Sequence, residues 1–168
     1  LLIEGTTTVQ ESGDEAQIIF KNTNLPVSVS PNRVQAAKYL IEETDCDVLI
    51  SDDGMQHYAL GRDIEIAVFD GLKGTGNDLC LPAGPLRESL ERTSEVDFII
   101  SSTQELNHPL INEDYVMTYE PINWVRLLDG ESFAAKDWPL TRSINAVAGI
   151  GNPLKFYNLL RDLGLDPI

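Results

Sequence analysis

The sequence has few cysteines, few basic residues and no long apolar run, and each shortage excludes a class of protein. Its two cysteines, Cys46 and Cys80, are too few for a disulfide framework and are typical of reduced thiols in a cytoplasmic protein. No apolar stretch approaches the ~20 residues that span a bilayer, and no signal-peptide pattern is present. Only 12 Lys and Arg oppose 27 Asp and Glu, a formal net charge of −15, which argues against nucleic acid as a partner.

Two further absences concern the start of the chain and its glycine-rich stretches. The sequence opens on Leu1 without an initiator Met, and we expect it to be an internal part of a longer protein. No G-x-x-x-x-G-K-[ST] motif occurs, since the Gly-Thr-Gly-Asn at residues 74–77 lacks the lysine. At 168 residues and 42% apolar content, the chain has room for one domain and the beginning of another.

A short apolar run, Val48 to Ile50, leads directly into two adjacent acids. The β-branched run predicts a strand buried in a parallel sheet, and Asp52 and Asp53 would then lie at its carboxyl end. Ligands of open α/β sheets bind at that edge, where a strand-end carboxylate can reach Mg²⁺ beside a nucleotide. A plain polar turn at Asp-Asp-Gly remains the alternative. We expect Gly54 to make the turn that brings Gln56 and His57 over the same edge.

The remaining periodicities predict an α/β fold. The order strand, helix, strand upstream of Asp52 is typical of a parallel crossover unit, with Ser30 as the N-cap of its helix. An Asp129-Gly130 turn between apolar stretches indicates a hairpin. The predicted helices cover residues 16–23, 31–43 and 154–163, and the predicted strands cover residues 26–29, 48–50, 64–69, 96–101 and 144–150.

Three further side chains are candidates for a site, each with a structural alternative. Asp14 precedes a helix, and from the sequence alone it is predicted to be the N-cap of that helix. Arg33, in the first turn of a helix, either meets a phosphate or faces solvent. Arg87 ends a rigid proline-containing loop, residues 81–88 (Leu-Pro-Ala-Gly-Pro-Leu-Arg-Glu), and is either a bidentate phosphate donor or half of a salt bridge.

Two of these segments together resemble one family. Ser-Asp-Asp-Gly-Met-Gln-His at residues 51–57 is similar to the Asp-Asp-Gly-Phe/Leu-Gln-His signature of the tetraacyldisaccharide 4'-kinases, with Met55 as the departure. Residues 81–88 match the family's Leu-Pro-Ala-Gly-Pro-Leu-Arg-Glu, and Gly-Asp-Glu at residues 13–15 matches a third family pattern. We call residues 51–57 the acidic segment and residues 81–88 the proline segment.

The resemblance implies a fold, a reaction and roles for the candidates. The fold would be a mostly parallel sheet of P-loop kinase type flanked by helices, with the start of a second, smaller α/β domain. The reaction would be ATP- and Mg²⁺-dependent phosphorylation of the 4'-hydroxyl of an acylated glucosamine disaccharide 1-phosphate, which forms lipid IVA in lipid A biosynthesis. The implied roles fall into three groups: catalysis by Asp14, Asp53 and His57, binding of phosphate groups by Gln56, Arg33 and Arg87, and Mg²⁺ binding by Asp52 and Asp53.

The same resemblance implies an arrangement of domains and a location. Residues 1–120 would form part of the kinase core, residues 121–143 an inter-domain hairpin connection, and residues 144–168 the start of the C-terminal domain. The protein would work at the cytoplasmic face of a Gram-negative inner membrane and touch it through a segment before Leu1. Two alternatives stay open, a non-catalytic α/β nucleotide-binding module and a P-loop phosphotransferase that acts on another sugar.

We expect purified residues 1–168 to show no kinase activity, because the loop that would grip the β- and γ-phosphates lies outside them. The measurement is ATP turnover with the acylated disaccharide as acceptor. Turnover above a no-enzyme control would contradict the expectation and require a phosphate-binding site elsewhere in these residues.

Overall fold

The computed structural model describes residues 1–106, 108–138 and 141–168. They form two compact units, Leu1–Val116 and Met117–Ile168. Pro139 and Leu140, which fall inside the predicted inter-domain connection, lie outside the described residues. No helix among the described residues is long and apolar enough to cross a membrane.

Three α-helices precede all the strands, and a fourth lies between the last two strands. The α-helices are α1 Val9–Ser12, α2 Asp14–Thr23, α3 Arg33–Glu43 and α4 Pro153–Asp162. The strands are β1 Ile66–Asp70, β2 Phe98–Ser102, β3 Tyr115–Met117, β4 Asn123–Val125, β5 Ser132–Ala134, β6 Ser143–Ile144 and β7 Asp166–Pro167, and 3₁₀ helices cover Leu90–Ser94 and Ala135–Asp137.

The main sheet has three strands in the order β1-β2-β3. Strands β1 and β2 are parallel, in a register that runs from Ile66 opposite Phe98 to Asp70 opposite Ser102. Ile99 of β2 is buried together with Leu106 and Ile111, and this cluster is the apolar core that the sheet covers. The two strands predicted at residues 64–69 and 96–101 are thereby confirmed, each shifted by one or two residues.

The strand predicted at residues 48–50 is wrong. No strand forms there, and Val48, Leu49 and Ile50 are 75%, 41% and 91% exposed. A strand requires a hydrogen-bonded neighbour, and within the described parts of the chain these three residues pair with none. The predicted crossover unit upstream of Asp52 is therefore absent as well, since residues 26–29 contribute only a single bridge between Ser28 and Leu2.

The three predicted helices form at their predicted positions, but the N-cap of α3 differs from the prediction. Helix α3 begins at Arg33, and its N-cap is Asn32, whose side-chain oxygen accepts a hydrogen bond from the Gln35 N–H at 3.2 Å. The prediction of Ser30 as the N-cap was wrong, because Ser30 lies two residues before Asn32. Its hydroxyl accepts a hydrogen bond from the Asn32 N–H instead.

The Met117–Ile168 unit combines a hairpin with a small parallel pair. Strands β4 and β5 are antiparallel around the predicted Asp129-Gly130 turn, in which Gly130 has φ +76°. Strands β6 and β7 are parallel, with helix α4 between them in sequence. The predicted strand at residues 144–150 shortens to Ser143–Ile144, because only these residues find a partner in the two-residue β7.

Gly71 sits where the chain leaves β1, and its lack of a side chain is required there. Its N–H donates to the Ser102 carbonyl at 3.0 Å, and a Cβ would overlap the main-chain oxygens of Ser102 and Gln104. Gly61 provides a contrast, since a Cβ there would meet no heavy atom within 4 Å.

We expect Gly71→Ala to destabilise the protein by about 2 kcal/mol, because the methyl group can be accommodated only by moving main chain at the end of the sheet. Urea unfolding followed by circular dichroism measures the change, with Gly61→Ala as the matched control. Equal unfolding free energies for the two variants would contradict this account of Gly71.

Candidate active site

The acidic segment is a series of tight turns, and its sharpest bend is at Asp53. Asp53 adopts a left-handed conformation with φ +50°, which Asp tolerates better than most residues. Gly54, which we expected to supply the bend, instead allows a close approach, since a Cβ there would lie 2.7 Å from the Ser51 hydroxyl oxygen. The His57 N–H then donates to the Gly54 carbonyl at 3.0 Å.

The proline segment folds back on itself and presents its last two residues to the acidic segment. The Leu81 N–H donates to the Leu86 carbonyl at 2.8 Å, and the Leu86 N–H donates to the Leu79 carbonyl at 3.2 Å. These bonds close the loop around its two prolines. Arg87 and Glu88 follow immediately, and both side chains reach the acidic segment.

Arg87 pairs with Asp53. Its guanidinium donates from both terminal nitrogens to the two carboxylate oxygens, with one of the bonds at 3.0 Å. The side chains are 52% and 62% exposed, and an ion pair so open to solvent contributes little to stability. The structure thus joins a predicted phosphate donor to a predicted metal ligand in a pair that other ions can reach.

Glu88 holds the other end of the acidic segment. It accepts hydrogen bonds from Gln56 Nε2 at 2.5 Å and from the Tyr58 hydroxyl at 2.7 Å. The Tyr58 hydrogen bond, helped by Gln56, lowers the pKa of Glu88, and the same bond raises the pKa of Tyr58. Sequence reasoning missed both residues as site residues, although Glu88 belongs to the quoted proline segment and Tyr58 directly follows His57.

Arg33, Gln56 and His57 line one cavity of about 430 Å³. Its walls are residues 31–34 at the start of α3 and residues 56–60. Arg33 Nε and Gln56 Oε1 are buried and have no hydrogen-bond partner within the described structure. Two of the residues that line the cavity therefore carry a buried donor and a buried acceptor without a partner among the described residues.

Asp14 lies at a different place in the fold. It is the first residue of α2, after the N-cap Gly13, and its carboxylate accepts a hydrogen bond from the Glu15 N–H at 3.1 Å. Asp14 is therefore not the N-cap of the helix. It does not line the cavity, and its catalytic role together with Asp53 and His57 stays a prediction.

The carboxylates of the acidic segment suit a magnesium ion that is held mainly by other ligands. Asp52 is exposed, and Asp53 is exposed but paired with Arg87. Among the residues described, no group of three or more His, Cys, Asp or Glu side chains is placed to hold a metal. Mg²⁺ commonly binds one or two protein carboxylates together with substrate phosphates and water, and Asp52 and Asp53 fit that donor set.

The chain matches one family along its whole length. The family model described as Tetraacyldisaccharide-1-P 4'-kinase matches residues 1–168. Curated relatives named tetraacyldisaccharide 4'-kinase include that of Hahella chejuensis, which is 42% identical over 100% of this chain and 48% of the relative. That of Vibrio cholerae is 45% identical over 99% of this chain and 47% of the relative. The relative from Ectopseudomonas mendocina is 38% identical over 99% of this chain and 49% of the relative. The chain spans about half the length of these relatives, and no solved structure matches it.

We expect Glu88 to make the protein's stability depend on pH at the acid end. Its pKa is lowered in the folded state, so the stabilisation is complete above the ordinary glutamate pKa of about 4.3 and is lost as the pH falls through the folded value. Urea unfolding of the wild type and Glu88→Gln across that range is the measurement. The wild type should lose more stability on acidification, whereas parallel pH curves would show that the Glu88 carboxylate contributes nothing as a charge.

Proposed function

We propose, because this chain belongs to the Tetraacyldisaccharide-1-P 4'-kinase family, that the protein transfers the γ-phosphate of ATP to the 4'-hydroxyl of a tetraacyldisaccharide 1-phosphate, the step that completes lipid IVA. The observation that carries the proposal is the direct contact between the two segments that resemble the family's signatures. Arg87 and Glu88 of the proline segment bind Asp53 and Gln56 of the acidic segment. Segments some 30 residues apart in sequence thereby form one polar surface.

The cavity beside this surface supports a role in binding phosphate groups. Arg33 brings a guanidinium whose Nε has no partner among the described residues, and His57 and Gln56 line the same cavity. A guanidinium recognises phosphate oxygens through paired N–H donors. We assign Arg33, Gln56 and His57 to the phosphate groups of the nucleotide or of the acceptor.

The Asp53–Arg87 pair supports the assignment of Asp52, Asp53 and Arg87 to the transferred phosphate and its metal. A nucleotide with Mg²⁺ offers each member of the pair a new partner, the cation for Asp53 and a phosphate oxygen for Arg87. Because an exposed ion pair contributes little to stability, replacing the contact between Asp53 and Arg87 costs little free energy. Mg²⁺, when bound, neutralises negative charge on the phosphates.

Asp14 is assigned to the acceptor hydroxyl. Its carboxylate is exposed at the start of α2 and, among the described residues, accepts a hydrogen bond only within its own turn, so it has room for a hydrogen bond from a hydroxyl group. A general base needs no more than a positioned acceptor within hydrogen-bond reach of the hydroxyl. Its distance from the transferred phosphate is set by substrate binding.

The proposal extends to the parts of the protein beyond these residues. A P-loop supplied outside this chain would complete the phosphate site, and the protein would work at the cytoplasmic face of the inner membrane, touching it through an N-terminal segment. Residues 1–120 would be kinase core and residues 144–168 the start of a second domain, with residues 121–143 connecting them. The net charge of −15 speaks against nucleic acid as a partner.

We expect Asp53→Ala and His57→Ala in the full-length protein to lower kcat/KM on the order of 100-fold or more, because phosphoryl transfer depends on positioning and charge neutralisation. Asp14→Ala should lower kcat with little change in the KM for ATP. Steady-state kinetics on the acylated disaccharide 1-phosphate is the measurement.

The control substitutions are Asp63→Ala and His108→Ala. Asp63 is an exposed acid outside the site, and the His108 side chain pairs with Asp78. Both variants should retain near-wild-type rates, and thermal melts check folding. Wild-type rates for Asp53→Ala and His57→Ala would favour a non-catalytic binding module. Equal activity of the wild type on acylated and deacylated disaccharide would favour a phosphotransferase for another sugar.

A further inference from the structure

Arg62 lies outside both the acidic and the proline segment, yet it binds the backbone of the acidic segment. One terminal nitrogen donates to the Met55 carbonyl oxygen at 3.0 Å, and the other donates to the His57 carbonyl oxygen at 3.1 Å. One planar guanidinium thus spans the carbonyls on either side of Gln56. Only Arg presents several N–H donors in a rigid fork of this kind.

Arg62 is itself held in place by a buried acid. The Glu65 residue is 9% exposed, and its two carboxylate oxygens accept from Arg62 and Arg92 respectively. The two guanidiniums therefore compensate the charge of a carboxylate that has almost no access to water. The hydrogen bond that Arg92 donates to Glu65 also raises the pKa of Arg92.

The backbone of Glu65 is anchored to the sheet. Its N–H donates to the Asp97 carboxylate at 2.7 Å, and its carbonyl accepts from the N–H groups of Asp97 and Phe98 at 2.9 and 3.2 Å. Asp97 directly precedes β2, and Phe98 is its first residue. The carboxylate of Glu65 is therefore fixed relative to the parallel pair of strands.

The second guanidinium closes the connection from the other side. Arg92 Nε lies 3.5 Å from a carboxylate oxygen of Glu88, and Glu88 accepts from the side chains of Gln56 and Tyr58. The path from the His57 carbonyl through Arg62, Glu65, Arg92 and Glu88 back to Gln56 is an unbroken ring of polar contacts. It holds the main chain at Met55 and His57 and the side chains of Gln56 and Tyr58.

We propose that Arg62, with Glu65 and Arg92 behind it, is a positioning residue that sets the places of Gln56 and His57 in the cavity. The proposal rests on the proposed function, since it assigns a purpose to the orientation of these two side chains. Arg62 touches no reacting group and acts through the loop. Small misplacement of a positioning group is costly in a reaction that depends on alignment.

Arg62→Lys in the full-length protein is the direct test. Lysine keeps the charge beside Glu65 but cannot bridge the Met55 and His57 carbonyls with a planar fork. We expect kcat to fall about ten-fold, with less than about a two-fold change in the KM for ATP. The matched control is Arg126→Lys, because Arg126 also binds acids, Asp129 and Glu131, but in the hairpin, and its kcat should stay at the wild-type value.

A double-mutant cycle with His57→Ala separates positioning from general destabilisation. If Arg62 acts through His57, Arg62→Lys costs less than about two-fold once His57 is alanine, because the two effects are coupled. The same ten-fold loss in both backgrounds, or no loss in either, overturns the proposal. Glu65→Gln provides a second variant and should show the same coupling.

Amide hydrogen exchange on the full-length protein tests the inference without any activity. Arg62→Lys should speed exchange in a peptide that covers residues 53–60, while exchange in a peptide from helix α4 stays unchanged. Unchanged exchange in residues 53–60 overturns the proposal. A wild type that binds no acceptor and turns over no ATP refutes the proposed function instead, and the exchange result still decides whether Arg62 holds the loop.

Discussion

The environment of Glu65 connects the sheet to the candidate site. Its main chain bonds to the residues that begin β2, and its carboxylate binds the two arginines that reach the acidic and proline segments. A carboxylate this well buried is tolerated only while its partners remain in place. The requirement to compensate one buried charge therefore fixes Arg62 and Arg92, and these in turn fix the loops around the cavity.

The parallel pairing of β1 and β2 explains why the two segments that resemble the family's signatures meet. Because the strands run in the same direction, the chain between them must return from the carboxyl end of β1 to the end of the sheet where β2 begins. That return includes the proline segment and the 3₁₀ helix Leu90–Ser94, which carries Arg92. The acidic segment precedes β1, so the crossover passes beside it and brings Arg87 and Glu88 within hydrogen-bond reach.

The sequence predicted local features better than it predicted pairing. The helices α2, α3 and α4 were placed within two residues of their observed bounds although neither Asp14 nor Ser30 is an N-cap, and the apolar strands β1 and β2 were identified by their β-branched residues. The run at Val48 to Ile50 has the same composition but is exposed, because composition reports the tendency to extend and not the presence of a neighbouring strand. The family segments made Asp53, Gln56, His57 and Arg87 candidates, whereas the isolated charges Arg62, Glu65 and Arg92 carried no motif and became candidates only from their contacts.

Under the proposed function, the candidate site also has to attract a polyanionic substrate to a strongly acidic chain. A net charge of −15 repels phosphates at long range, although at physiological ionic strength that repulsion is screened beyond roughly 8 Å. Phosphate binding then depends on the charges close to the site. Of the 12 basic residues, 4 lie within or beside the acidic and proline segments or on the cavity: Arg33, Arg62, Arg87 and Arg92. Arg62 and Arg92 are committed to Glu65, which leaves Arg33 and Arg87 to meet phosphate. Under the proposed function, Asp53 and Arg87 hold each other in a solvent-accessible position until a phosphate and its cation replace that contact.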